Sequence, residues 1–357
     1  MTSPQVQRNN SAIERERSST NCAPVSVSAN KMDIPIIDLS NPNNDELATQ
    51  LWNAAHKVGF FTLINHSIPQ HQIDTLFTLS EQFFNMDSEL KHAYRFDRTK
   101  NSGYEFMTQK PPSTNVVDLK ETFQVTAREG CMDGLWPNKE QLPGFQDVIM
   151  NMIDNSHALA CRVLSLLERR ACPHVKRDTL PNAHHIWGED GQCTLRLLHY
   201  PPTTATDVNA EEEEEEEVDE PTQSTNTRWR CGAHTDWGSL TLLFQRVGED
   251  GLECRRRGVT NDNDDAEASA SWVEVPPVKG GITVNIGDML KRWSDSKLYS
   301  NLHRVRMPQS REECAKSRYS VAFFLQADKS ALIENESNEP ITAGEYFAAR
   351  INAHFAE

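Results

Sequence analysis

None of the 357 residues belongs to a run that approaches the roughly 18 apolar residues a membrane-spanning helix needs. The first thirty, MTSPQVQRNNSAIERERSSTNCAPVSVSAN, lack the apolar core of a secretory signal and read as a disordered leader over 1–31. The eight cysteines (22, 131, 161, 172, 193, 231, 254, 314) include no C-x-x-C pair. They are best read as reduced, mostly buried thiols, which makes a cytoplasmic address the default. No basic stripe marks a nucleic-acid surface, and no internal repeat is evident.

Negative charge is what the chain has in excess. The formal net charge is −16, but Asp207, Glu211 to Glu217, Asp219 and Glu220 supply ten of the negative charges within one short segment. Charges this dense repel and stay solvated, so the segment reads as a surface loop rather than as a statement about partners. Elsewhere the chain is only mildly acidic.

Ordered sequence begins at MDIPIIDLS, a short β-type run. Leu47, Leu51, Ala54, Ala55 and Val58 then recur at helical spacing up to Gly59. FFTLINH (60–66) reads as a strand and HQIDTLFTLSEQFFNM (71–86) as a helix. A long helix is expected over about 144–172. From Thr194 the texture changes to short β-rich runs separated by turn signals: TLRLLHY, SLTLLFQ, WVEVP, GITVNIG, NLHRVRM and RYSVAFFLQ. Such spacing predicts an antiparallel sandwich or jelly roll. The expected organisation is the leader, a helix-rich region over 32–190, a β-rich core over 191–330 with polar inserts at 203–228 and 255–271, and a C-terminal segment over 331–357.

Within that core CGAHTDWGSL places His234 and Asp236 two apart. Alternate residues of a strand share a face, so an imidazole and a carboxylate can address one point. Two donors hold a metal poorly, and His303 in SNLHRVRM is the candidate third. Two histidines and one carboxylate on one side of a cation form the facial triad of non-haem Fe(II) oxygenases. In SRYSVAFFLQ, Arg318 and Ser320 share a face by the same period. A guanidinium beside a hydroxyl grips a carboxylate well, and an unpaired Arg in so apolar a strand would be costly. Asn285, Gly287 and Asp288 in NIGD read as a turn rather than as chemistry.

These motifs resemble the 2-oxoglutarate- and Fe(II)-dependent dioxygenases, in the branch that includes isopenicillin N synthase. The resemblance runs from about Asp33 to Gln326 and rests on IPIIDLS, KVGFFTLINHSIP, EQFFNM, LRLLHYPP, HTDWGSLTLLFQ, GLEC, ITVNIGDMLKRWSD, LHRV and RYSVAFFL. It implies a mainly β fold, a double-stranded β-helix (jelly roll, cupin-like) preceded by a helix-rich N-terminal region. It implies His234, Asp236 and His303 as ligands of Fe(II), with Arg318, Ser320 and Tyr200 on the distal carboxylate of 2-oxoglutarate. Tyr104, Phe123 and Arg196 would line the substrate pocket. The implied reaction couples decarboxylation of 2-oxoglutarate by O2 to hydroxylation, desaturation or cyclisation of a small molecule. Where plant members read Asn-Tyr-Tyr-Pro-Pro, this chain reads Leu198-His199-Tyr200-Pro201-Pro202, which loses an asparagine contact to the cosubstrate and makes a plant-hormone or flavonoid activity less expected. Three alternatives stay open: an oxidase like isopenicillin N synthase that needs no keto acid, a zinc hydrolase, and a non-catalytic binding protein on the same scaffold. Neither nucleic acid nor membrane is an expected partner.

Overall fold

A computed structural model describes residues 34–108, 117–203, 229–256 and 271–355. The leader, the glutamate run and nearly all of both polar inserts lie outside these residues. Helix α1 (Asn44–Lys57) starts where Asn43 accepts hydrogen bonds from the amides of Asp45 and Glu46, and it buries Leu47, Leu51, Ala54 and Ala55. It stops at Gly59, whose φ of +75° and whose contact with the Tyr299 carbonyl, 2.1 Å from where a Cβ would stand, admit no other residue. Helix α2 (Gln70–Phe84) buries Ile73, Leu76, Phe77, Phe83 and Phe84. The short α3 (Ser88–His92) follows, then the 27-residue α4 (Phe145–Ala171) and the single turn α5 (Thr179–Asn182). Among the described residues no helix is long and apolar enough to cross a membrane.

Strands β1 (Ile36–Asp38), β2 (Phe60–Ile64), β3 (Gly103–Phe106), β4 (Glu121–Thr126) and β5 (Thr194–Tyr200) precede the HTD motif. They are followed by β6 (Cys231–His234), β7 (Leu240–Gln245), β8 (Leu252–Arg255), β9 (Trp272–Glu274), β10 (Ile282–Ile286), β11 (His303–Val305) and β12 (Arg318–Leu325). An eight-stranded sheet runs in the order β1-β2-β10-β7-β12-β5-β4-β3, and a four-stranded sheet in the order β6-β11-β8-β9. A hairpin, β13 (Leu332–Ile333) with β14 (Ile341–Thr342), leads into the C-terminal helix Ala343–Phe355. These are the two sheets of the double-stranded β-helix. The region expected to be helix-rich, 32–190, also supplies four of the eight strands of the larger sheet.

The two faces of that sheet differ in kind. Leu195, Leu197, Phe123, Val125, Val321 and Phe323 are buried in one apolar cluster with α1, α2 and α4. Strand partners share a face, and the register sets Arg318 opposite Tyr200, Ser320 opposite Leu198 and Arg196 opposite Gln124. These polar residues alternate with the apolar ones and so line the opposite face.

Candidate active site

His234 ends β6 and His303 begins β11, and the two are direct partners in the antiparallel register. Their rings therefore lie side by side, with centroids 4.4 Å apart. Asp236, just past the strand end, brings Oδ1 to 3.8 Å from His234 Nε2 and 3.7 Å from His303 Nε2. One ligand atom from each residue lies within 4.8 Å of the others.

Each donor is aimed by a partner of its own. His234 Nδ1 faces the Gly232 carbonyl at 2.8 Å and His303 Nδ1 the Asn301 carbonyl at 3.1 Å. Carbonyls only accept, so both rings carry their proton on Nδ1 and present the Nε2 lone pair to the centre. Asp236 Oδ2 accepts from Thr241 Oγ1 at 2.5 Å and from Asn285 Nδ2 at 2.7 Å, leaving Oδ1 free. Burial alone would raise the Asp236 carboxyl, but the two imidazoles and these hydrogen bonds hold it below the usual range. Burial, and then the neighbouring His234 ring, push His303 down to about 4, so its ring is neutral at neutral pH. Two imidazoles that turn their Nε2 atoms to one point, with a carboxylate beside them, fit a divalent cation.

Arg318 is 2% exposed. Among the described residues its hydrogen-bond partners are uncharged: the Glu249 carbonyl at 3.1 Å, the Gln245 side-chain oxygen at 3.1 Å and Ser320 Oγ at 3.3 Å. The guanidinium also lies over the Tyr200 ring, 5.0 Å from its centroid. A buried cation with only neutral partners is suited to an anionic ligand. The residues present thus fit both a metal and a keto acid.

Comparison with known proteins agrees. Residues 34–141 match the family described as non-haem dioxygenase in morphine synthesis N-terminal, and residues 191–327 match the 2OG-Fe(II) oxygenase superfamily. The chain belongs to the 2OG-Fe(II) oxygenase superfamily. It is 30% identical over 338 residues to the UPF0676 protein C1494.01 of Schizosaccharomyces pombe, covering 90% of this chain and 92% of that one. It is 27% identical over 301 residues to the 2-oxoglutarate-Fe(II) type oxidoreductase ppzD of Metarhizium rileyi, covering 80% and 76%. A full-length Neurospora crassa protein, crystallised in complex with alpha-KG, is similar with a TM-score of 0.73 at 25% identity, over 89% of this chain and 95% of that one. The protein is a 2-oxoglutarate-dependent dioxygenase that uses Fe(II), 2-oxoglutarate and O2.

In this oxygenase Arg196 lies on the same sheet face as Arg318. Its Nε donates to Gln124 Oε1 at 2.8 Å, a second bond runs from Nη2 to the same oxygen, and the guanidinium stands over Phe324. Tyr104 and Phe123, expected in the pocket, are on the other face. Phe123 packs 4.6 Å from Phe83 and 5.7 Å from Phe145, ring centre to ring centre, inside the helical core. Tyr104 sits beside Phe83 and donates its hydroxyl to the buried Glu121. The reason is strand parity: Tyr104 pairs with Phe123, and Phe123 with Leu197, so all three point away from the metal ligands.

Several supporting residues were not evident in the sequence. Asn285, read there as part of a turn, is in β10 and holds Asp236; its signal was one polar residue inside ITVNI. Gly287 joins β10 to the short helix Asp288–Trp293, and a Cβ there would stand 2.1 Å from the Gly238 carbonyl oxygen. Asp118 accepts from the Gly232 amide at 2.9 Å and pairs with the buried Lys120 at 2.8 Å, which steadies the peptide that orients His234. Arg230 is buried and donates to the Lys316 carbonyl at 3.3 Å, while its Nε has no hydrogen-bond partner among the described residues.

Proposed function

We propose that His234, Asp236 and His303 hold the Fe(II), and that Arg318, Ser320 and Tyr200 hold the distal carboxylate of 2-oxoglutarate. Arg196, braced by Gln124, then offers charge to a polar group of a small organic substrate. The observation that carries this reading is three converging donors together with a buried Arg318 whose described hydrogen-bond partners are neutral, on the sheet face from which Thr241 and Asn285 reach Asp236. Bound iron, with 2-oxoglutarate and O2, supplies the oxidising power, splitting the keto acid to succinate and CO2 as a substrate C–H bond is oxidised.

The chain's own part is aim. The Nδ1 hydrogen bonds fix each imidazole, Thr241 and Asn285 fix the carboxylate rotamer, and Arg318 fixes which end of the keto acid faces the metal. Hydroxylation, desaturation and cyclisation of the substrate all begin from that arrangement. A role in specialised metabolism is supported by fungal relatives named as 2-oxoglutarate-dependent dioxygenases. A cytoplasmic address is supported by the described cysteines, all of them unpaired thiols.

Anaerobically purified protein loaded with Fe(II) and 2-oxoglutarate, then exposed to O2 with panels of small acids, terpenoids and peptides, tests the reading through succinate release. Succinate is expected only when all three components are present, and Asp236→Ala should abolish it. Substrate turnover without 2-oxoglutarate would instead identify an oxidase of the isopenicillin N synthase kind.

A further inference from the structure

Thr235 sits between two of the three metal donors, so whatever fixes Thr235 fixes the spacing of His234 and Asp236. The stretch is bound by the N-terminus of the short helix Asp288–Trp293. The Asp288 amide donates to the Asp236 carbonyl at 2.8 Å, and the Met289 amide donates to the carbonyls of Trp237 and Gly238 at 3.2 and 3.1 Å. The side chains add a second tie. Thr235 Oγ1 donates to Asp288 Oδ2 at 2.9 Å, and Arg350 Nη2, from the C-terminal helix, donates to that same oxygen at 2.8 Å. Arg350 Nε is in turn 3.2 Å from the Tyr346 hydroxyl, one helical turn back.

We propose that Arg350 and Asp288 are positioning residues for the metal, through which the C-terminal helix sets the geometry of the His234–Asp236 loop. The proposal rests on the reading of His234, Asp236 and His303 as the iron site. A carboxylate on a short stem can turn between neighbouring donors, and Asp288 has two more cations close by. Lys291 and Arg292 line the same surface cleft of about 230 Å³. Arg350 keeps Oδ2 turned toward Thr235, and Thr235 then has a charged acceptor in place of water. Without Arg350 the carboxylate is free to swing to the cleft cations, and the Thr235 hydroxyl loses its acceptor. The tie is a chain, so cutting it at either end should have the same consequence.

Metal binding to the metal-free protein tests this without turnover. Mn(II) is titrated anaerobically and the free ion is read by electron paramagnetic resonance, with thermal unfolding of the same metal-free samples as control. Thr235→Val and Arg350→Gln should each weaken Mn(II) binding roughly tenfold, the lower end of what outer partners of metal ligands contribute. Arg350→Lys should recover most of that loss. The double variant should bind about as weakly as the weaker single one, because both act through Asp288. Wild-type Mn(II) affinity in both single variants, with only a lower unfolding temperature, would show a merely structural tie and overturn the proposal, as would losses that multiply in the double variant. Should Arg350→Gln fail to fold, Thr235→Val, a change of hydroxyl to methyl, decides alone. A wild-type chain that takes up no Mn(II) would overturn the metal-site reading itself, a different result from unaffected variants.

Discussion

Arg230 donates to the carbonyl of Lys316, two residues before Arg318, and so brings a second guanidinium to the Arg318 end of the pocket. Burial, and then the charge of Arg318, pushes Arg230 down to about 10. Two like charges in a poorly solvated site repel unless an anion lies between or beside them. The distal carboxylate of 2-oxoglutarate is such an anion. Replacing Arg230 by Met should therefore raise the half-saturating 2-oxoglutarate concentration about tenfold or more, a charged hydrogen bond contributing roughly 1.5–3 kcal/mol, while the maximal rate changes little. Tighter 2-oxoglutarate binding in that variant would mean that Arg230 only repels Arg318. The sequence showed Arg318 and Ser320 because the period of two placed them together inside an apolar strand. It did not show Arg230, because RWR beside an acidic insert reads as a solvated edge. Only the folded chain reveals that this arginine is 5% exposed.

At the scale of the strand, parity decides what each side chain can do. The sequence carried β2, β5, β7, β10 and β12 clearly, since each is an apolar run bounded by turn residues. It carried the convergence of His234, Asp236 and His303 because an H-x-D at a strand end needs only one partner strand. It could not say which face of β4 looks at the metal. KETFQV alternates, but its register against β5 is fixed by long-range pairing rather than by local pattern. Gln124 shares the sheet face of Arg196 and Arg318 and braces Arg196, whereas Phe123 faces Phe83 and Phe145. Two neighbouring substitutions should therefore behave oppositely. Phe123→Ala should lower unfolding stability by about 3–5 kcal/mol and leave the KM of the folded fraction for the organic substrate unchanged. Gln124→Ala should cost less, about 1–3 kcal/mol, since it strands the Asn101 carbonyl and the half-buried Arg196 guanidinium, and it should alter that KM, because Arg196 loses its brace. Reversed outcomes would mean that the strand is turned over.

For the whole molecule, the helical layer and the catalytic sheets are joined by groups that no local pattern announces. β2 pairs with β10 more than two hundred residues later, so nothing near β2 in the sequence shows which sheet it joins. His184 is another such joint. It lies just beyond α5, 1% exposed, with Nδ1 at 2.6 Å from the Leu180 carbonyl and Nε2 at 2.8 Å from Ser239 Oγ, three residues after Asp236. Burial pushes its ring down to about 4, from an ordinary value of 6.5. Between those two values the unfolded chain holds a proton that the folded chain does not, so stability rises with pH through this window. The stabilisation is therefore complete above pH 6.5 and is lost as the pH falls toward 4. For His184 alone the loss between pH 7 and pH 5 should be about 2 kcal/mol. His303 adds a similar share in the metal-free protein, since its ring is depressed to about 4 as well. Urea unfolding of metal-free wild type and His184→Gln at both pH values separates the two contributions. Glutamine keeps a donor and an acceptor near Ser239 but cannot titrate. The variant's loss of stability on acidification should be smaller than the wild type's by about 2 kcal/mol, whatever its stability at pH 7. Parallel pH curves for the two proteins would show that His184 is already protonated in the native state, and that the joint between helices and catalytic loop is an ion rather than a neutral ring.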